Sequence, residues 1–197
     1  MSYLDINYSG NENPAISESE NIYDKKFFPN LKLSYSENII NNLNSIPILY
    51  VNEIGFKKYY SKEEVIHKVN LVAKYLRSIG VKKCDRVVGI VTNNAETLIS
   101  FLAVNSIGAV WSSCSPDFGE QAILDRFSQI EPKILFYSSS YMYGGKKFEI
   151  LEKIKNVESK LNTLEVSICI DYSQKDKSFI DEKLNFFEEN NRELSEL

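Results

Sequence analysis

The chain has 197 residues, with 23 Lys and Arg against 27 Asp and Glu, for a net charge of -4, a balance that leaves no basic footprint for nucleic acid. Hydrophobic residues make up 43% and aromatics 12%, which excludes a disordered chain and allows a packed core of one domain or one and a fraction. No apolar run approaches the ~20 residues of a membrane span, and Met1-Ser2-Tyr3-Leu4-Asp5 opens no signal peptide, so a soluble cytoplasmic protein is expected.

Residues 1–26 are rich in Asn, Ser and Glu and show no apolar period, which reads as an irregular arm. Ser36-Glu37-Asn38 leads into Ile39, Ile40 and Leu43, the spacing of a short amphipathic helix that Pro47 stops. Ile48–Val51 and Phe56–Tyr60 flank Asn52-Glu53-Ile54-Gly55, the layout of a β-hairpin. Ser61 and Glu64 then form a capping box, and Val65, Val69, Val72, Leu76 and Ile79 supply a helical stripe that Gly80 closes.

From Arg86 the pattern alternates. Strands are expected at Arg86–Val91, Ala109–Trp111, Ile134–Tyr137 and Val166–Ile170, with helices at Ala95–Ile107, Glu120–Ile130 and about Phe148–Val157 between them. Strands apolar on both faces and separated by helices predict right-handed crossovers and an α/β fold, a mainly parallel sheet with helices on both faces plus the leading hairpin. Ligands in such folds sit at the carboxyl ends of the strands, which singles out Thr92–Asn94, Ser112–Gly119 and Ser138–Gly145. The domain reading is thus an arm over 1–26, an α/β domain over 27–170, and a polar, helical, truncated continuation over 171–197.

Few residues carry recognisable chemistry. Cys84, Cys114 and Cys169 are odd in number and far apart, so no disulfide framework is expected and all three read as reduced core residues. A nucleophilic Cys114 or Ser115 would need a base, and the only histidine is His67, placed in a helix beside Glu63 and Glu64. Asp117 or Ser115 reads as the cap of the next helix, and Asp117, Glu120, Asp125 and Glu131 as structural acids rather than a metal site. The segment Tyr141-Met142-Tyr143-Gly144-Gly145-Lys146-Lys147 combines hydroxyls, glycines and lysines between a strand and a helix. It has the chemistry of a phosphate-contacting loop and also of a plain solvated connection, and it fits no nucleotide fingerprint.

A resemblance goes further. Asp85-Arg86-Val87-Val88-Gly89, Asn93-Asn94-Ala95-Glu96-Thr97, Ala103 to Gly119 with its Trp111-Ser112-Ser113-Cys114-Ser115-Pro116-Asp117-Phe118-Gly119 string, and Leu124 to Lys133 resemble the acetoacetyl-CoA synthetase family, within the adenylate-forming acyl-CoA ligases. The likeness extends from about Phe27 to Leu161. It implies a partial N-terminal ligase domain of an enzyme that joins acetoacetate to CoA with ATP and Mg2+, through an acyl-adenylate and with release of pyrophosphate and AMP. The family's Ser/Thr/Gly-rich nucleotide loop and C-terminal catalytic lysine have no counterpart here; Tyr137-Ser138-Ser139-Ser140 with Gly144-Gly145-Lys146 imitates that loop, but its surroundings match an earlier segment.

The resemblance therefore reads the chain as a fragment, inactive alone, with no catalytic residue, no metal ligand and no cofactor certain for itself. In the acetyl-CoA synthetase relatives the turn matching Tyr143, Gly144, Gly145 and Lys146 contacts the CoA 3′-phosphate through basic residues, of which Lys146 keeps one and Tyr143 replaces an arginine. Small-molecule substrates, no nucleic acid and no membrane complete the expectation. The alternatives are a non-catalytic α/β binding or scaffold module, or a ligase for another short carboxylic acid.

Overall fold

The computed structural model describes residues 6–43, 48–53 and 55–170; Pro47, Ile54 and the expected continuation over 171–197 lie outside them. The chain divides into two compact units, Met1–Ser45 and Ile46–Leu197. In the first, β1 (Ser9–Gly10) pairs antiparallel with β2 (Leu31–Lys32), and α1 (Tyr35–Asn42) follows. Ser34 caps α1: its hydroxyl accepts from Glu37 N at 3.2 Å, while Ser36 is buried. The Asn38 amide ties the arm to this helix, accepting from Asn7 N at 2.7 Å and donating to Asn7 O at 2.9 Å.

The second unit opens with the hairpin β3 (Ile48–Val51) and β4 (Lys57–Tyr60), then α2 (Lys62–Ser78), where Ser61 Oγ accepts from Glu64 N at 3.1 Å. Val65, Val69, Val72 and Leu76 are buried, as their spacing requires, and each contributes roughly 1.5–3 kcal/mol of apolar transfer. Tyr60 at the end of β4 is fully buried and donates its hydroxyl to Glu96 Oε1 at 3.4 Å. Four strands follow, β5 (Arg86–Ile90), β6 (Val110–Cys114), β7 (Ile134–Tyr137) and β10 (Val166–Cys169), in one parallel sheet of order β10-β7-β5-β6. Their connections are α3 (Ala95–Ser106), α4 (Glu120–Phe127) and α5 (Leu151–Lys160).

Alternation along the strands sorts the side chains onto two faces. Val88, Ile90, Cys114 and Leu135 pack with Ile123 and Phe127 of α4 and Ile154 and Val157 of α5. On the other face Trp111 meets Phe101 of α3, with ring centroids 6.2 Å apart, and Phe136 at 5.8 Å. Helices therefore cover both faces, as the apolar strands predict. Among the described residues no helix is long and apolar enough to cross a membrane.

Four expectations are corrected. β6 runs on through Ser112, Ser113 and Cys114, because the β5 ladder continues beside it to the pair Ile90↔Cys114. α4 ends at Phe127 rather than Ile130: Arg86 Nε and Nη2 donate to the carbonyls of Ile130 and Glu131 at 2.7 and 2.8 Å and hold that stretch as a turn. The segment over 140–149 is neither loop nor helix but a second hairpin, β8 (Ser140–Tyr143) and β9 (Lys146–Glu149). Gly144 and Gly145, at φ 59° and 74°, supply the two positive dihedrals of a type I′ turn, which sends the next four residues back along β8 and delays α5 to Leu151. Cys84, expected in the core, is exposed in the turn before β5, where the sharp bend at φ 70° leaves its side chain outside the sheet.

Candidate functional site

β5 passes into α3 on one face and β6 into α4 on the other, so the two connections diverge at the carboxyl edge and leave a crevice. A cleft of about 810 Å3 lies there. Its walls come from Val91, Thr92, Asn93 and Thr97 after β5, from Ser113 to Asp117 at the end of β6, and from Tyr141, Met142 and Tyr143 of β8. The three segments that the strand-end argument singles out, separate in the chain, thus meet at one place.

Each wall is fixed locally. Asn94 Oδ1 accepts from Thr97 N at 2.8 Å, and its amide nitrogen donates to Thr92 Oγ1 at 3.2 Å. Thr97 Oγ1 donates to Thr92 O at 2.8 Å, closing a small ring of bonds at the start of α3. Ser138, buried after β7, accepts from Thr92 N at 3.4 Å. The β6 wall is held differently from the sequence expectation. Neither Asp117 nor Ser115 caps α4, whose N-cap is Gly119 without a side-chain bond. Instead Lys153 of α5 donates to the carbonyls of Pro116 and Phe118 at 2.6 and 2.9 Å, and the Arg126 guanidinium lies 4.7 Å from the Phe118 ring centre. Lys153 escapes sequence reasoning because its partners are 37 and 35 positions away.

The lining is rich in hydroxyls, from Thr92, Thr97, Ser113, Ser115, Tyr141 and Tyr143, rather than nucleophilic. Burial pushes the Cys114 thiol up to about 11, against the opposing pull of Arg126 and Lys153, so it is protonated at neutral pH. His67 is exposed on α2 and lines no part of the cleft. The acids stay apart: Glu120 bonds Lys160 and Asn156 of α5, and Asp125 accepts from Gln121 at 2.7 Å. Among the described residues no three His, Cys, Asp or Glu converge on a metal position.

Of the sequence-predicted phosphate residues, Tyr143 lines the cleft, while Gly144, Gly145 and Lys146 continue the same hairpin beyond the lining. Tyr143 and Lys146 are direct cross-strand partners on either side of the two-glycine turn, and both are exposed, Tyr143 at 72%. Lys147 is ion-paired with Glu149 at 2.6 Å, whereas Lys146 has no ion pair among the described residues. The Gly145 N–H donates to Glu53 Oε2 at 3.3 Å, so the turn already presents a donor to a carboxylate. Tyr141 and Phe148 stack beneath it, with centroids 5.1 Å apart.

The motif residues divide between the two edges of the sheet. Asp85, Arg86 and Lys133 work at the amino edge, where Lys133 Nζ donates to Gly80 O at 2.9 Å and lies 3.6 Å from Asp85 and 3.5 Å from Glu165. The Asn93-Asn94 and Trp111-to-Gly119 strings form the cleft edge.

Residues 48–195 match the AMP-binding enzyme family. The chain is 40% identical over 171 residues to the acetoacetyl-CoA synthetase of Mus musculus, covering 85% of this chain and 25% of that protein. It is 35% identical over 148 residues to the acetoacetyl-coenzyme A synthetase of Rhizobium meliloti (strain 1021), covering 75% and 23%. Among solved structures, the acetoacetyl-CoA synthetase from Streptomyces lividans superimposes with a TM-score of 0.81 at 30% identity, over 90% of this chain and 28% of that one. The chain thus spans about a quarter of the length of the relatives it matches.

Proposed function

The chain belongs to the AMP-binding enzyme family, and on that premise we propose that residues 27–170 are part of the N-terminal α/β domain of an acid–CoA ligase. The reaction is that of acetoacetate with ATP to give acetoacetyl-adenylate and pyrophosphate, followed by attack of the CoA thiol to give acetoacetyl-CoA and AMP. The observation that carries the reading is the cleft: Ser113 to Asp117, from the Trp111-to-Gly119 string that is the most specific part of the family likeness, form one of its walls at the sheet's carboxyl edge.

Within that reading the chain's own residues serve CoA. The open, hydroxyl-lined cleft suits an extended polar chain, and the hairpin tip suits a phosphate. Lys146 offers an ammonium not engaged by a carboxylate among the described residues, Gly145 offers a backbone N–H, and Tyr143 beside them offers a hydroxyl and a ring. With one cation where two would stand, the grip on the 3′-phosphate is looser but of the same sign. ATP and Mg2+ enter this reading through the family likeness.

The test is calorimetric titration of the chain with CoA and with 3′-dephospho-CoA. Lys146→Ala weakens CoA about fivefold, the scale of one exposed charge pair, and narrows its advantage over the dephospho form. Lys147→Ala, which removes a lysine already paired with Glu149, changes little. Equal affinity for the two ligands in the unmodified chain would refute the phosphate assignment.

A further inference from the structure

The segment that closes one wall of the cleft, Ser115 to Phe118, has no helix cap of its own: Gly119 starts α4 without a side-chain bond. Its order comes from behind. Lys153, half-buried on α5, directs one ammonium to two carbonyls of this segment, Pro116 O at 2.6 Å and Phe118 O at 2.9 Å. Among the described residues Lys153 forms no ion pair, so its charge is spent on backbone oxygens alone. Withdrawing an ammonium from water is costly, and an apolar side chain would fill the same space more cheaply if packing were the only demand. The Arg126 guanidinium lies over the Phe118 ring, whose body is packed against the α4–α5 core.

We infer that Lys153 is a positioning residue for ligand binding, a clamp that sets the Ser115–Phe118 wall and so the width of the cleft and the placing of Ser115 and Asp117 within it. The clamp crosses from α5 to the β6–α4 connection, so it couples the element after the β8–β9 hairpin to the opposite wall of the same cleft. The inference rests on reading the cleft as a CoA site, and it adds a residue that does not itself line the cleft.

The test uses the 197-residue chain, its Lys153→Met variant, which keeps the stem and deletes the donors, and its Lys153→Arg variant, which restores them. Two quantities are measured: amide hydrogen exchange at Phe118, whose N–H donates to Ser115 O at 3.3 Å, and affinity for CoA. The methionine variant exchanges about tenfold faster at Phe118 and binds CoA about tenfold more weakly, the scale of a lost charge-assisted hydrogen bond. Arginine restores both. Unchanged exchange and affinity in the methionine variant, or a loss that arginine does not repair, overturns the inference. If the unmodified chain binds no CoA, the CoA reading fails while the exchange result still decides the clamp. Should the methionine variant not fold, the ammonium resonance of Lys153 in the unmodified chain decides: slow proton exchange shifted by added CoA supports the clamp, and fast exchange overturns it.

Discussion

A glycine and a tryptophan set the geometry around the site. Gly89 sits mid-strand in β5 with Trp111 of β6 across its face, and a Cβ at Gly89 would come within 2.9 Å of the indole Cζ2 and 3.1 Å of Cη2. The indole is held in turn by Phe101 and Phe136 and cannot retreat freely. Gly89→Ala is therefore expected to destabilise the chain by about 1–3 kcal/mol through overpacking, read as a lowered urea midpoint with the slope unchanged. Both residues stand in the motif strings, yet their contact crosses strands and is invisible in a one-dimensional pattern. The same holds for Lys153 and for Arg86. Sequence reasoning weighed a glycine by the turn it could make, and here the glycine makes room.

At the level of elements, helical stripes and apolar strands were the legible part. The α2 stripe, the Ser61 cap and the alternation from β5 to β7 follow directly from spacing, because burial enforces period and caps are local chemistry. The β8–β9 hairpin was illegible for a physical reason: a short, polar, largely exposed hairpin carries no strong apolar alternation, and its two-glycine turn resembles a flexible loop until both dihedrals are known. The α4–α5 pair carries a testable electrostatic link. The hydrogen bond from Lys160, aided by Asn156 and opposed by desolvation, holds the Glu120 carboxyl below its ordinary value of 4.5. Because the folded value is the lower one, the link stabilises the chain above about pH 4.5 and is lost as pH falls through the depressed folded value. Thermal unfolding from pH 7 to pH 3 is expected to fall less steeply for Glu120→Gln than for the unmodified chain, with the two curves converging at the acid end.

For the whole molecule, sheet order decides where chemistry can occur. Two neighbouring strands send their chains to opposite faces, and the crevice between them gathers three segments that the sequence placed at strand ends without knowing that they meet. Strand order itself was beyond sequence reasoning, because parallel strands of similar composition compete equally for neighbours. The family likeness fills the gap from the side of chemistry: the string that resembles the ligases most closely is the one that folds into the cleft wall. The measurement that bears most directly on this account is a CoA titration of the isotope-labelled 197-residue chain followed by amide resonances. The account predicts saturable shifts concentrated at Thr92–Asn93, Ser113–Asp117 and Tyr141–Lys146; no saturable shift, or shifts confined to other surfaces, would contradict it.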